Sequence, residues 1–283
     1  MRTVWAVAMV AGILIVHAAN AAAQQRPLVT EDPETIGAGL VLVEAGIDEQ
    51  RGVSYPASGL EGNLLRLPTI GISFGISSIA ELQIDGGLYN RLDVTSRTRA
   101  PLSPLVNFTG DRTHDVEDLV VATKIRVLAE TAARPAFAVR FATRLPNASN
   151  ESGLGLDTTD FFVSTLFGKT VRSIRFVGNA GLGILGDPTD GNRQNDVLTY
   201  GASIARAVRQ GLEVVGEVNG RVNTRGGEPP VGTGSRGAMR VGGRFTQATV
   251  RVDAAIIIGI TSADPSLGFT AGLTWVFKGF AVP

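Results

Sequence analysis

The sequence predicts an all-β fold, a transmembrane antiparallel up-and-down β-barrel of about twelve strands. Three observations lead to this prediction. Segments with apolar residues at every second position recur along most of the chain, and charged residues occupy the opposite phase. The connections between these segments alternate between short and long. The N-terminus carries an export signal, and no later apolar run reaches the length of a membrane-spanning helix.

The N-terminal residues have the order of a secretory signal peptide. Arg2 precedes an apolar run from Val4 to Val16, and small residues ending at Ala23 form a cleavage site before Gln24. The apolar run of about 13 residues is too short to span a bilayer, which needs roughly 20. The chain is thus expected to divide into a signal peptide (1–23), a periplasmic N-terminal segment (24–35), the transmembrane barrel (36–277) and a C-terminal tail (278–283).

Composition excludes several classes of function. The chain has 26 Lys and Arg against 26 Asp and Glu, so no global field favours nucleic acid as a partner. It has no cysteine, which excludes disulfides and thiolate chemistry and suits a chain that crosses the periplasm unfolded. Apolar residues at helical spacing are nearly absent, which argues against a soluble helical domain.

Twelve segments have the strand pattern, with boundaries good to two or three residues. They are Ile36–Asp48, Leu64–Ile76, Ile79–Val94, Val116–Ala129, Arg134–Pro146, Thr158–Thr170, Ser173–Gly186, Asp196–Val208, Gly211–Asn223, Gly234–Thr246, Ala248–Thr261 and Ser266–Phe277.

The lengths of the connections favour a membrane barrel. Long connections, including Glu49–Asn63 and Thr95–Asp115, alternate with short ones such as Ser77–Ser78; only Ser262–Pro265 is shorter than its position in the series predicts. Bacterial barrels place tight turns in the periplasm and long loops outside. A secreted sandwich or jelly roll, the alternative fold, has no reason to sort its loops in this way.

The phase of each strand assigns its two faces. In the fifth strand Phe137, Val139 and Phe141 alternate with Arg140 and Arg144. A lipid-facing Arg or Lys at the bilayer midplane costs roughly 2–4 kcal/mol. The charged phase is therefore expected to face the lumen and the apolar phase the lipid.

Two strands depart from this simple pattern. In the second strand the apolar phase slips between Leu67 and Ile70, and Pro68 lies at the slip, so a β-bulge is expected there and the face of Arg66 is left open. In the eighth strand Arg206 shares the phase of the apolar residues but lies near a short turn, where a long side chain can reach the interface.

Several segments resemble one family of outer-membrane proteins. They are DLVVATKIRVL (118–128), RPAFAVRFATRLPN (134–147), TTDFFVSTLFGKT (158–170), NAGLGILGDP (179–188) and GFTAGLTWVF (268–277). In these segments the chain is similar to the MetA-pathway of phenol degradation family. The resemblance implies a β-barrel associated with uptake of small, often aromatic, compounds. The last strand also looks like an outer-membrane assembly signal, although six residues follow Phe277.

Charged residues predicted to face the lumen are the candidate functional residues. Acids concentrate on the third and ninth strands and bases on the fourth, fifth and tenth, and one close register sets Lys124 opposite Arg140, an unfavourable pair unless the lumen is wet or an anion binds. One interpretation is that these charges solvate the interior and pair with one another; the other is that the basic sector selects anions. The candidates are Lys124, Arg126, Arg140, Arg144, Arg175, Arg240, Arg244, Arg251, Glu81, Asp85, Glu213 and Glu217.

Catalytic and metal-binding motifs are weak. The mature chain has one histidine, His114, in a long loop, whereas outer-membrane phospholipases need Ser and His on the lipid-facing surface. The acids Asp111, Asp115, Glu117 and Asp118 could at most hold a weakly bound calcium ion. No enzymatic activity, cofactor or metal is expected.

The function predicted from these patterns is passive passage of small, anionic or aromatic molecules across a bacterial outer membrane. The alternative is a non-conducting barrel that braces the membrane or displays its loops. Expected partners are outer-membrane lipid, the barrel-assembly machinery and small solutes, with no nucleic acid.

Overall fold

The computed structural model describes residues 26–282, so the expected signal peptide and Pro283 lie outside the described residues. Among those residues no helix has both the length and the apolar character needed to cross a bilayer. Residues 26–282 form β-strands and one 3₁₀ turn, at Ser103–Leu105. The strands are β1 Leu40–Tyr55, β2 Leu60–Gly75, β3 Ala80–Gly87, β4 Asn90–Arg97, β5 Arg112–Asp115, β6 Leu119–Leu128, β7 Ala136–Leu145, β8 Asp160–Val171, β9 Ile174–Gly186, β10 Gln194–Arg209, β11 Leu212–Asn223, β12 Arg236–Gln247, β13 Val250–Gly259 and β14 Leu267–Lys278.

Twelve antiparallel strands close a barrel, because β1 pairs with both β2 and β14. The barrel strands are β1–β3 and β6–β14, and β4 and β5 are additional. β4 continues along β2 where β3 ends, and β5 pairs only with β4. The predicted fold class and strand number are confirmed, but the third predicted strand, 79–94, is interrupted at residues 88–89.

The connections sort by length to the two ends of the barrel. Short connections of residues 76–79, 129–135, 172–173, 210–211 and 248–249 define the turn end, and the opposite, loop end carries residues 56–59, 88–118, 146–159, 187–193, 224–235 and 260–266. The prediction of a long loop at residues 49–63 is wrong. Its residues extend β1 and β2 into a hairpin closed by residues 56–59. Buried apolar residues of this hairpin and of β4, among them Val53, Leu60 and Leu92, pack together and explain the extension.

The bulge expected at Pro68 is present. Gly46 pairs with Thr69 while Asp48 pairs with Arg66, so Leu67 and Pro68 together oppose one residue of β1. The extra residue shifts the phase of β2 by one, which places Arg66 inside the barrel with Asp48, 3.1 Å from Nη1 to Oδ2.

The outer face of the barrel is apolar, as the strand phases predict. Large apolar side chains of β9, β12 and β13 remain half exposed, for example Leu182 at 52%, Val241 at 57% and Ile256 at 51%. The charged residues of the same strands point inward and are mostly buried. A barrel with this oily exterior and polar interior is an all-β transmembrane barrel.

Candidate functional site

The lumen contains the chain's own N-terminal residues. We refer to residues 26–36 as the lumen segment. Its backbone N–H groups donate to side chains of the barrel wall: Val29 and Thr30 to Glu217 at 2.8–3.0 Å, and Ile36 to Glu81 at 2.8 Å. Side chains of the barrel wall therefore supply hydrogen-bond acceptors to a backbone that forms no strand or helix.

The expected periplasmic position of residues 24–35 is therefore corrected for the described part, which begins at Arg26. The amide of Asn179 holds the middle of the lumen segment, accepting from the Glu31 N–H at 2.7 Å and donating to the Glu31 carbonyl at 2.8 Å. Near the turn end, the Thr35 hydroxyl donates to the Ser78 carbonyl. The segment thus runs from mid-barrel toward the turn end before β1 begins.

Lys124 is fully enclosed in the lumen, with none of its side chain exposed. Its Nζ lies 3.2 Å from Glu31 Oε2 and 3.0 Å from Glu81 Oε1, and it donates to the Asp32 carbonyl at 2.9 Å. Lys124 and Arg140 are direct cross-strand partners, the like-charge register considered from sequence. Glu31 lies between them, 3.3 Å from Arg140 Nε, so an anion of the chain itself offsets this repulsion.

Two further acids of the lumen segment, Asp32 and Glu34, pair with arginines of the barrel wall near the turn end. Arg175 donates from Nη2 and Nε to both carboxylate oxygens of Asp32, at 2.6 and 2.9 Å. Arg126 pairs with Glu34. Glu130, in the adjacent turn, pairs with Arg175. Burial disfavours its charged form, but the Thr170 N–H and the Arg175 guanidinium outweigh this and hold the pKa of Glu130 below its ordinary value.

Arg26 occupies a notch floored by two glycines. Its guanidinium donates to the Thr270 hydroxyl at 2.9 Å and the Thr69 hydroxyl at 3.1 Å, and Nε lies 3.5 Å from Asp253 Oδ1. A Cβ at Gly46 would lie 2.2 Å from Arg26 Nη2, and one at Gly272 2.3 Å from Nε. Glycine at both positions is therefore a condition for docking Arg26.

We expect Gly46→Ala to displace Arg26, because the added methyl occupies the position of the guanidinium. Loss of this anchor should loosen the lumen segment and speed amide hydrogen exchange at Val29 and Thr30 in the folded barrel. The matched control is Gly178→Ala, whose Cβ meets no atom within 4 Å. Unchanged exchange in Gly46→Ala would show that Arg26 does not anchor the segment.

The structure places all twelve candidate residues on the inner face of the barrel. Besides the contacts above, Arg240 pairs with Glu217 at 2.9 Å, Arg244 with Glu213 at 2.6 Å, Arg251 with Glu213 at 3.8 Å and Arg140 with Asp85 at 3.7 Å. Arg144 pairs with Asp160. The residues that sequence reasoning missed are Arg26, Glu31, Asp32 and Glu34. Three carboxylates just before the first strand were the one available signal.

The lumen segment separates two cavities. A turn-end vestibule of about 1190 Å³ is lined by several basic residues, including Arg126, Arg175 and Arg251. A loop-end chamber of about 440 Å³ lies between the segment and β1–β3, and its lining includes Glu44, Asp48 and Asp85. Charge in the interior is therefore polarised along the barrel axis.

Hydrogen bonds connect the loops at the loop end of the barrel. The Asn107 N–H donates to the Glu151 carbonyl at 2.8 Å, and the Ser58 hydroxyl donates to the Gly153 carbonyl at 2.7 Å. Arg221 points to the loop of residues 224–235 and donates to the carbonyls of Gly232 and Gly234. The first two contacts join the connections 56–59, 88–118 and 146–159 into one cap.

Three of the residues weighed for catalysis or calcium binding, His114, Asp115 and Asp118, make contacts within the chain at the loop end. His114 lies in β5 with its ring centroid 5.6 Å from that of Tyr89. Asp115 accepts from the Ser149 N–H at 2.8 Å, and Asp118 accepts from the Ala148 N–H at 3.0 Å. Within residues 26–282, no group of three or more His, Cys, Asp or Glu is arranged to hold a metal ion.

Comparison with known proteins gives structural neighbours only. No protein-family model matches the sequence, and no curated relative matches it. The chain is similar in structure to the COG4313 outer membrane channel from Pseudomonas putida F1, at 14% identity and a TM-score of 0.61, covering 87% of this chain and 98% of that one. It is also similar to the NanC porin, at 8% identity and a TM-score of 0.51, covering 83% and 98%. At these identities the likeness shows a shared fold.

Proposed function

We propose that this chain is a channel protein of a bacterial outer membrane, exported by its N-terminal signal peptide, that lets small molecules pass through its lumen. The observation behind the proposal is the closed barrel with an apolar outer face and a charged interior. The two structural neighbours, an outer membrane channel and a porin, support it. The turn end then faces the periplasm and the loop end the outside.

Several parts of the proposal rest on sequence patterns. Membership of the phenol-degradation family rests on the five segments that resemble it, and passage of aromatic compounds rests on that resemblance. Lipid contact follows from the apolar belt, and use of the barrel-assembly machinery follows from the pattern of β14, where Leu273 and Trp275 point outward. The proposal includes no catalytic activity.

The lumen segment makes the conformation described here a closed one. Val29 and Thr30 cross the lumen at Glu217, and Glu31 fills the space between Lys124 and Arg140. Hydrogen bonds, ion pairs and the packing of Leu28 with Ala205 and Val215 hold this segment, so it can leave the lumen without breaking a covalent bond. We therefore expect the passage of solutes to require residues 26–36 to move.

The competing function is a non-conducting barrel, which the lumen segment and the interlocked loops favour. We expect the purified full chain, reconstituted in planar bilayers and liposomes, to show discrete conductance steps and uptake of small solutes. A heat-unfolded sample of the same preparation is the control. Folded protein that passes neither ions nor solutes under any membrane potential would support the non-conducting role and contradict a channel.

A further inference from the structure

The loop-end chamber has an excess of negative charge. Of the described residues that line it, six carry carboxylates and four carry guanidinium groups. Two cations outside this lining, Lys124 and Arg144, pair with Glu31 and Asp118 of the lining. Two acids outside the lining, Glu217 and Asp253, pair with Arg240 and Arg26 of the lining, so the outside charges balance one another. The acidic excess within the chamber therefore persists.

The cations of the chamber are shared between acids. Arg66 bridges Asp48 and Glu117, so one guanidinium serves two carboxylates. Arg140 lies 3.3 Å from Glu31 but 3.7 Å from Asp85, whose side chain remains 47% exposed. Asp85 is consequently only weakly compensated at the cavity surface.

Two carboxylates converge where the wall has no side chain. A Cβ built on Gly71 would lie 2.9 Å from Asp85 Oδ1 and 3.5 Å from Glu44 Oε2. Both oxygens therefore project over the same point of the wall. A donor group placed there could donate hydrogen bonds to both of them.

Two carboxylate oxygens without donors lie just behind the lining of the same cavity. Only 8% of Asp48 is exposed, and its Oδ1 accepts from no donor among residues 26–282. Glu117 Oε2 is likewise buried without a donor in the described chain. Their negative charge adds to the potential inside the chamber and favours a cation there.

Part of the chamber wall is apolar. Val29, Val120 and Phe162 line the chamber together with its acids. An apolar wall with a few convergent polar groups is the usual form of a small-molecule site, and it suits a ligand with a charged end and a hydrophobic body.

We propose that the loop-end chamber binds small organic cations, in which an ammonium group donates to Asp85 and Glu44 and an apolar or aromatic body packs against Phe162 and Val29. This inference rests on the proposed function, since it names a substrate class for the same lumen. An ammonium group carries three donors and no acceptor, which matches a set of carboxylate oxygens. Ion pairing in a partly enclosed cavity is stronger than in water.

Three probes with the same aromatic body test the charge requirement: benzylammonium, benzyl alcohol and benzoate. Each is titrated by calorimetry into the folded full chain in a non-ionic detergent. We expect saturable binding of benzylammonium, weaker binding of benzyl alcohol and none of benzoate. Equal affinity for all three, or no saturable binding of benzylammonium, would overturn the proposal.

Asp85→Asn keeps the shape of the side chain and removes its charge. We expect about a tenfold loss of benzylammonium affinity, the size of one charge-assisted hydrogen bond, and unchanged binding of benzyl alcohol. Asp111→Asn, which removes the same charge from an exposed loop, is the matched control. An unaltered affinity in Asp85→Asn would place the ligand elsewhere.

Binding and conductance separate the two proposals. Benzylammonium binding that depends on Asp85 in a protein without conductance would retain the site and contradict the channel. Conductance in a protein that does not bind benzylammonium would retain the channel and contradict the site.

Discussion

A variant lacking residues 26–35 is expected to conduct far more than the full chain. The deletion removes the backbone that crosses the lumen at Glu217 and the Glu31 side chain that fills the space beside Lys124. It leaves Gln24 and Gln25 for signal-peptide cleavage. Single-channel recording in planar bilayers measures the conductance step. A step equal to that of the full chain would place the closure in the loop cap instead.

The same deletion should move ion preference toward anions. The lumen segment has one arginine and three acids, a formal charge of −2, so its removal leaves Lys124, Arg126, Arg140 and Arg175 without these partners. The anion selectivity proposed from sequence is therefore expected in the opened barrel. Reversal potentials in a salt gradient measure it.

Arg140→Glu with Arg144→Glu, made in the deletion background, should return the preference toward cations. Arg134→Glu, in the exposed turn of residues 129–135, is the control for a charge change that lines neither cavity. An ion preference that does not respond to Arg140 and Arg144 would show that these residues only brace the wall.

Lys124→Met is expected to cause the largest loss of stability of any single substitution discussed here. The change leaves Glu31 and Glu81 buried without their shared cation, and Glu81 has only 1% of its side chain exposed. Removing one partner of a buried ion pair typically costs about 3–5 kcal/mol of unfolding free energy. Denaturant unfolding in detergent micelles or lipid vesicles measures the change.

Two further variants make this prediction specific. Adding Glu31→Gln to Lys124→Met should recover part of the loss, because it removes one of the stranded charges, and the double-mutant cycle gives the coupling. Lys278→Met, at the exposed end of β14, should be nearly neutral. A small effect of Lys124→Met would mean that water reaches the site and solvates both acids.

The sequence alone determined the barrel and its faces. Period-two alternation reports which side chains share a face, and a charge cannot face lipid cheaply, so residues such as Lys124, Arg140 and Glu217 could be assigned to the lumen. The phase slip at Pro68 correctly located the bulge, because an extra residue reverses the faces beyond it. These are local properties of each strand.

The tertiary structure decided what fills the lumen. Residues 24–35 have no periodicity, so their pattern carries no information about position, and Glu31 finds Lys124 across 93 residues of sequence. The extension of β1 and β2 beyond residue 48 also depended on distant contacts, with β4 and with the loop of residues 146–159. Alternation can say that Lys124 and Arg140 face inward together. Only the folded chain shows that the Glu31 carboxylate lies between them, because that contact depends on closure of the barrel.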